Sequence, residues 1–382
     1  MKKFLASDFW LVYNFDDPNN RYQKFLSRGR DPFKRLIENV LLYDNIVIPT
    51  QDFLTLSVLI GVLGEDEVVE LLTSKSISFL RAKGALAYLG NGGGVQSYLI
   101  GGGPNQPLDP FCAPMDEAIS WAINGLSNKP KNKKLPQLVA EATTEFQLSE
   151  VAQNIKYETY EDILKSNVLT SQFAIRNRDL DRLVGIRPNQ VRIFGGRDST
   201  LKGDEIDIVM ALTNTNLELR MMEMTQCDDA ITDNPIRFLL EAKAARTLRK
   251  SSDQSFTELK EIAGLPDIGE AVLQKKISIG KTLEIAKSDN GQKFREWFHA
   301  NCRNDTVSTA REYSNLLKTV PVVQKFPSRI IRFVITTLVG FATLNPGAGV
   351  GAGLVDSFFV EKLLKGSSPK FFMEDLEKIT NV

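Results

Sequence analysis

Phe333-Val334-Ile335-Thr336-Thr337-Leu338-Val339-Gly340-Phe341-Ala342-Thr343-Leu344-Asn345-Pro346-Gly347-Ala348-Gly349-Val350-Gly351-Ala352-Gly353-Leu354-Val355 runs for twenty-three residues without a charge. Whether this run is buried in protein or in lipid decides the fold class. Its length matches the roughly 20 apolar residues that cross a bilayer, and Gly347/Gly351 and Gly349/Gly353 repeat small residues at the spacing that lets helices touch. Asn345-Pro346-Gly347 divides it, because proline cannot continue a helical hydrogen-bond ladder. One arm then runs from about Ser328 to Leu344, opening near Arg329 and Arg332, and the other from about Ala348 to Leu364. The second half of the later arm is amphipathic, with Asp356, Glu361, Lys362 and Lys365 set against Val355, Phe358, Phe359, Leu363 and Leu364. Each arm is shorter than a comfortable span, and apolar segments of that length are more often core helices. The run is therefore expected to be a glycine-lined helical hairpin. Phe333, Leu338, Gly347, Gly349, Gly351, Gly353, Phe358 and Phe359 are its expected membrane-facing or interface residues.

Working outward, the 382 residues are enough for two or three domains, and the 47 basic and 47 acidic residues cancel. No overall field would draw nucleic acid, so a dedicated nucleic-acid partner is not expected. Cys112, Cys227 and Cys302 are too few and too far apart for a disulfide framework or a four-ligand zinc site, which suits a reducing compartment. Met1-Lys2-Lys3-Phe4-Leu5-Ala6-Ser7 opens like a secretion signal, but Asp8 ends the apolar stretch and Asp16-Asp17 follow. A cytoplasmic protein is expected, with membrane association of the hairpin on activation as the alternative.

In the N-terminal part, Phe9 to Tyr13 and Asn45 to Pro49 are aromatic and β-branched runs that predict short strands. Between them, Asp31-Pro32 opens an amphipathic helix over Phe33 to Leu42, and helices are expected over Asp52 to Leu63 and Glu65 to Leu72. Ile77 to Leu80, Ala85 to Leu89 and Gln96 to Ile100 predict three strands of a meander, turned at Lys83-Gly84 and Asn91 to Gly94. Asn128 to Pro136, with two prolines and four lysines, is a solvated loop or a domain linker. Beyond it the pattern is almost wholly helical, with helices expected over Glu205 to Met224, Asn234 to Lys250, Ser255 to Ile262, Gly269 to Gln274, Ile279 to Ala286, Gly291 to Cys302 and Ser308 to Leu317.

Four features could carry chemistry. Gly90 to Gly94 and Gly101 to Gly103 could offer backbone amides to a phosphate, but neither leads from a strand into a helix or ends in Gly-Lys-Ser/Thr. Asp207 and Glu218, with Arg220, loosely match the strand pair of a metal-dependent nuclease. Ile206, Val209, Met210, Thr213, Leu217 and Met221 fall instead at helical spacing, with Asp204 and Glu205 suited to a helix N-terminus, and a helix here would remove the nuclease reading. His299 is the only histidine; Cys302 follows three residues later, but Phe294, Trp297 and Phe298 mark that helix face as packing. Lys129, Lys131, Lys133 and Lys134 could touch phosphates, but charge runs of this size are usually solvated surface.

The expected fold is α-rich α+β. Residues 1–127 form an α+β part with a small mixed or antiparallel sheet, 128–136 a linker-like basic loop, 137–327 a helical region, and 328–382 the hairpin with an amphipathic tail over Phe371 to Ile379. No cofactor or metal is expected. The leading function is a non-enzymatic intracellular protein acting through a protein partner or self-association. The alternatives are a membrane-perturbing stress or defence effector using residues 329–364, and the nuclease. A small-molecule ligand of the N-terminal sheet is left open.

Overall fold

The computed structural model describes residues 2–10, 13–14, 29–84, 86–90, 95–100, 113–126, 129–148, 150–151, 154–155, 158–159, 186–187, 190–192, 203–231, 267–301, 372, 375–376 and 378–379. Among them helix predominates, with a small parallel sheet. The chain divides into two compact units, one of residues 1–32 and 44–248 and the other of residues 33–43 and 249–382.

The first unit is built on β1 (Lys3–Ala6), β3 (Asn45–Thr50), β4 (Ile77–Lys83), β7 (Thr143–Gln147) and β10 (Asp229–Ile231). They form one sheet in the order β10-β1-β3-β4-β7, parallel throughout. Parallel strands need crossover connections, and helices α2 (Leu54–Leu63) and α3 (Glu65–Thr73) supply the one between β3 and β4. All six residues of β3 are buried, as are Phe4, Leu5 and Ala6 of β1. Such strands read as unbroken apolar runs, and Ile46-Val47-Ile48 is one. Helix α2 packs with α3 and with α4 (Met115–Asn124), and α4 with α5 (Leu135–Glu141).

A second sheet has the order β2-β5-β6-β9-β8, from β2 (Tyr13–Asn14), β5 (Leu86–Gly90), β6 (Val95–Ile100), β8 (Ile186–Arg187) and β9 (Gln190–Arg192). Only its β2–β5 pair is parallel. The predicted meander is corrected here: β4 pairs with β3 and β7, while β5 and β6 pair with each other. A run buried on both faces finds parallel partners through crossovers, which the nearby turns do not reveal. Of the strand predicted over Phe9 to Tyr13, Phe9 belongs instead to a short 3-10 turn over Ser7–Phe9, Trp10 is extended and Tyr13 opens β2, while residues 11–12 lie outside the described residues. Strand β7 lies where helix was expected, its paired threonines suiting a pleated surface.

Residues 129–134 join α4 to α5 within this unit, and the Glu65 carboxylate accepts from Lys131 N (2.8 Å) and Asn132 N (2.5 Å). The four lysines of the loop are exposed. Helix α6 (Gly203–Thr225) spans the helix expected over Glu205 to Met224.

The second unit gathers the part of α1 (Asp31–Leu42) from Phe33 onward with α7 (Ile268–Leu273), α8 (Ile279–Lys287) and α9 (Asp289–Asn301). Asp267 caps α7 by accepting from Glu270 N at 2.8 Å, and Ser278 caps α8 by accepting from Lys281 N at 3.2 Å. Lys34 on α1 meets Glu270 at 2.6 Å and Asp267 at 3.3 Å, and the Glu270 contact raises its ammonium pKa. Phe294 stacks on Phe372 with ring centres 4.2 Å apart. Helices expected over Asn234 to Lys250, Ser255 to Ile262 and Ser308 to Leu317, and the hairpin with Phe333, Leu338, Gly347, Gly349, Gly351, Gly353, Phe358 and Phe359, lie outside the described residues. Among the described residues no helix is long and apolar enough to cross a membrane.

The close approach of α7 to α1 depends on Gly269, where an added Cβ would lie 2.7 Å from Lys34 Cα and 2.9 Å from its carbonyl oxygen. Gly269→Ala is expected to destabilise the second unit by about 1–3 kcal/mol. Gly61 on α2 faces open space, so Gly61→Ala is expected to be neutral or to stabilise by up to about 1 kcal/mol. Urea titration of the two variants checks both.

Candidate functional site: the carboxyl edge of the parallel sheet

In open parallel sheets, ligands gather outside the carboxyl ends of the strands. At that edge of the first unit, β1 runs out into Ser7 and Asp8, β3 into Gln51 and Asp52, β4 carries Arg81, and β7 carries Glu145. Register places Arg81 opposite Thr50 on one side and Glu145 on the other. Its side chain has no exposed surface. Nε donates to Gln51 O at 3.1 Å, Nη1 to Glu145 Oε1 at 2.6 Å and Nη2 to Ala113 O at 2.8 Å. The guanidinium also lies 5.6 Å from the centre of the Phe53 ring.

The backbone after β3 is bent tightly. Thr50 Oγ1 accepts from Phe53 N at 3.0 Å and Asp52 Oδ1 from Leu54 N at 3.3 Å, so both side chains serve the turn into α2. Phe53 itself is left-handed, at φ 58°, a conformation that costs a bulky residue free energy and persists only where its surroundings hold it. Here its ring is fully buried and stands edge-on to Phe79 at 5.8 Å. Gln51 Nε2 donates to Gly84 O at 3.2 Å, and Thr55 Oγ1 to Phe9 O at 3.4 Å. These bonds tie the exits of β1, β3 and β4 into one polar ledge. Ser7, Asp8, Gln51 and Asp52 are all buried.

The residues predicted from sequence are placed elsewhere. Asp207, Glu218 and Arg220 lie on one helix, α6, so the strand pair that a nuclease reading requires is replaced at these positions by helix. Local periodicity prevails there. Glu218 is buried, and Arg220 is paired with Glu158 and, at 2.7 Å, with Glu223. Among the described residues no group of three or more His, Cys, Asp or Glu side chains is placed to hold a metal. In the second unit His299 places Nε2 2.8 Å from Leu42 O, against the Tyr43 and Phe298 rings, and Cys302 lies outside the described residues. Gly90 ends β5, while residues 91–94 and 101–103 lie outside the described residues.

The amino end of the same sheet is closed by ionic ties. Lys2 N donates to Asp44 at 2.6 Å and Lys2 Nζ to Asp228 at 2.5 Å, while Lys3 N donates to Asp228 at 3.0 Å. Beside them Cys227 lies 3.1 Å from the Thr225 hydroxyl, and burial pushes its thiol up to about 11, against the opposing pull of that hydroxyl and of Lys3.

Two outcomes follow for these groups. Arg81→Met leaves Glu145 and two main-chain carbonyls without their donor, and a loss of about 3 kcal/mol is expected; Arg81→Lys, with no planar fork, restores only part of it. Thermal unfolding of both variants measures this. Cys227 remains a neutral thiol at pH 8, so its alkylation, followed peptide by peptide in a mass spectrometer, is expected to be at least about tenfold slower than that of a free thiol and to keep rising with pH until it levels off near pH 11. Comparison of the chain with protein-family models, with curated proteins and with solved structures finds no match.

Proposed function

We infer that this is a cytoplasmic, non-enzymatic protein that acts by binding a protein partner or a second copy of itself. The observation that carries the inference is the commitment of Arg81. At the sheet edge where an α/β enzyme would present its cation to a substrate, this one donates to two main-chain carbonyls and a neighbouring carboxylate. Two other reactive side chains among the described residues point the same way. The imidazole of His299 is bonded to Leu42 O and set among aromatic rings, and the Cys227 thiol is held neutral by burial. Three widely spaced cysteines support a reducing compartment.

A second reading rests on the uncharged, glycine-spaced run at 333–355, which leads into an amphipathic stretch. On this reading the hairpin of residues 329–364 enters a membrane once a signal releases it. One experiment separates the two. Full-length protein and a version lacking residues 329–364 are expressed, captured by affinity, and followed through carbonate extraction of the membrane pellet. The partner-binding reading expects full-length protein in the extractable fraction with a partner, or a second copy, in stoichiometric amount. Full-length protein that resists extraction, beside a deletion that is soluble and folded, puts the membrane reading in its place.

A further inference from the structure

Three polar atoms at the carboxyl edge of the first unit, Ser7 Oγ, Trp10 Nε1 and Gln51 Oε1, have no hydrogen-bond partner among the described residues. Their residues are 6%, 8% and 2% exposed. A buried polar group without a partner costs about 1–3 kcal/mol, so a fold that leaves three of them at neighbouring strand exits calls for an explanation. Ser7 and Trp10 belong to one turn, closed by Trp10 N donating to Ser7 O at 2.9 Å. Gln51 follows β3, the strand paired with β1, and the Thr55–Phe9 bond draws the two exits together. Phe53, two residues on, is held in its left-handed conformation. Such outliers cluster at ligand clamps.

We propose that the exits of β1 and β3 form a binding site for a small uncharged molecule with an amide-type edge, a hydrogen-bond donor beside an acceptor, as in a carboxamide or a nucleobase. The inventory of atoms sets this class. The indole N–H of Trp10 can only donate, and the Ser7 hydroxyl can donate or accept. The amide nitrogen of Gln51 is spent on Gly84 O, so its Oε1 can only accept. The complementary ligand offers an acceptor to Trp10 and Ser7 and a donor to Gln51. Charge excludes anions: the Arg81 guanidinium is balanced by Glu145, and the carboxylates of Asp8 and Asp52 are buried at the same edge. No nucleophile paired with a base is among the contacting groups, so the site binds without transforming its ligand. A small-molecule input of this kind goes beyond partner binding.

The test uses the full-length protein with nicotinamide and adenine as probes and inorganic phosphate as the anion control, followed by saturation-transfer NMR. Saturable binding of at least one uncharged probe is expected, with none for phosphate, and Gln51→Met and Ser7→Ala should each weaken it at least about tenfold. Because the Ser7 hydroxyl has no partner among the described residues, the thermal midpoint of Ser7→Ala without ligand should stay within about 1 °C of the parent or rise. The proposal is overturned if neither uncharged probe saturates, or if binding survives both substitutions. It is also overturned if Ser7→Ala lowers the midpoint by more than about 3 °C, since the hydroxyl would then already be bonded within the protein.

Discussion

A guanidinium with no exposed surface must find an acceptor for its N–H groups, and Arg81 finds them on three separate stretches of chain: the exit of β3, the edge strand β7 and the segment leading into α4. Removing two charges from water is expensive and is offset only where the bonds are short and nearly complete. The carboxyl edge of the sheet is thereby fixed. Gln51 must present its carbonyl inward, which leaves its side chain to reach Gly84, and the turn that follows forces Phe53 into a left-handed conformation with its ring beside the guanidinium. Apolar burial of β1, β3 and β4 supplies most of the stability of the sheet, while the arginine selects how their ends are arranged.

Local signals carried some of this fold and not the rest. Helices α1, α3, α8 and α9 repeat their apolar residues at three and four, a pattern contained within each segment, and they, with the almost wholly apolar α2 and the long α6, stand within a few residues of where they were expected. Strand β3 was legible too, because Ile46-Val47-Ile48 can hardly be anything but buried. Its partners were not. Phe4 pairs with Ile46 on one side and Asp229 on the other, and no local pattern encodes a partner more than two hundred residues away. Lys2 and Lys3 tie the amino end of β1 to Asp228, an equally distant partner. Thr143-Thr144-Glu145-Phe146-Gln147 is short, half-polar and at a sheet edge, so it gives periodicity little to act on.

The site was less legible than the fold. The acidic cluster at 204–207 draws the eye because carboxylates do chemistry, yet a helix N-terminus attracts the same residues for dipole reasons alone. The informative residue was a charge inside an apolar run, Arg81 within Ile77-Ser78-Phe79-Leu80-Arg81-Ala82. A strand buried on both faces has no solvent to receive such a side chain, so it demands a partner. Ser7 and Gln51 carry no such mark. A serine after an apolar run and a glutamine after a threonine are ordinary surface residues until the sheet closes over them.

The division of the chain has a consequence for how the protein is made. Residues 33–43 are an excursion from the first unit into the second, whose next described helix begins about 225 residues later at Ile268. At ribosomal rates of about 5–20 residues per second, the apolar face of α1, with Phe33, Leu36, Ile37 and Val40, leaves the tunnel roughly 10–45 s before the helices it is grouped with exist. An amphipathic helix of twelve residues is marginal in water by itself. Throughout that interval the nascent chain carries an orphaned sticky segment flanked by β1 and β3, so translation speed and chaperone access between codons 43 and 268 set how much of the protein reaches its final connectivity.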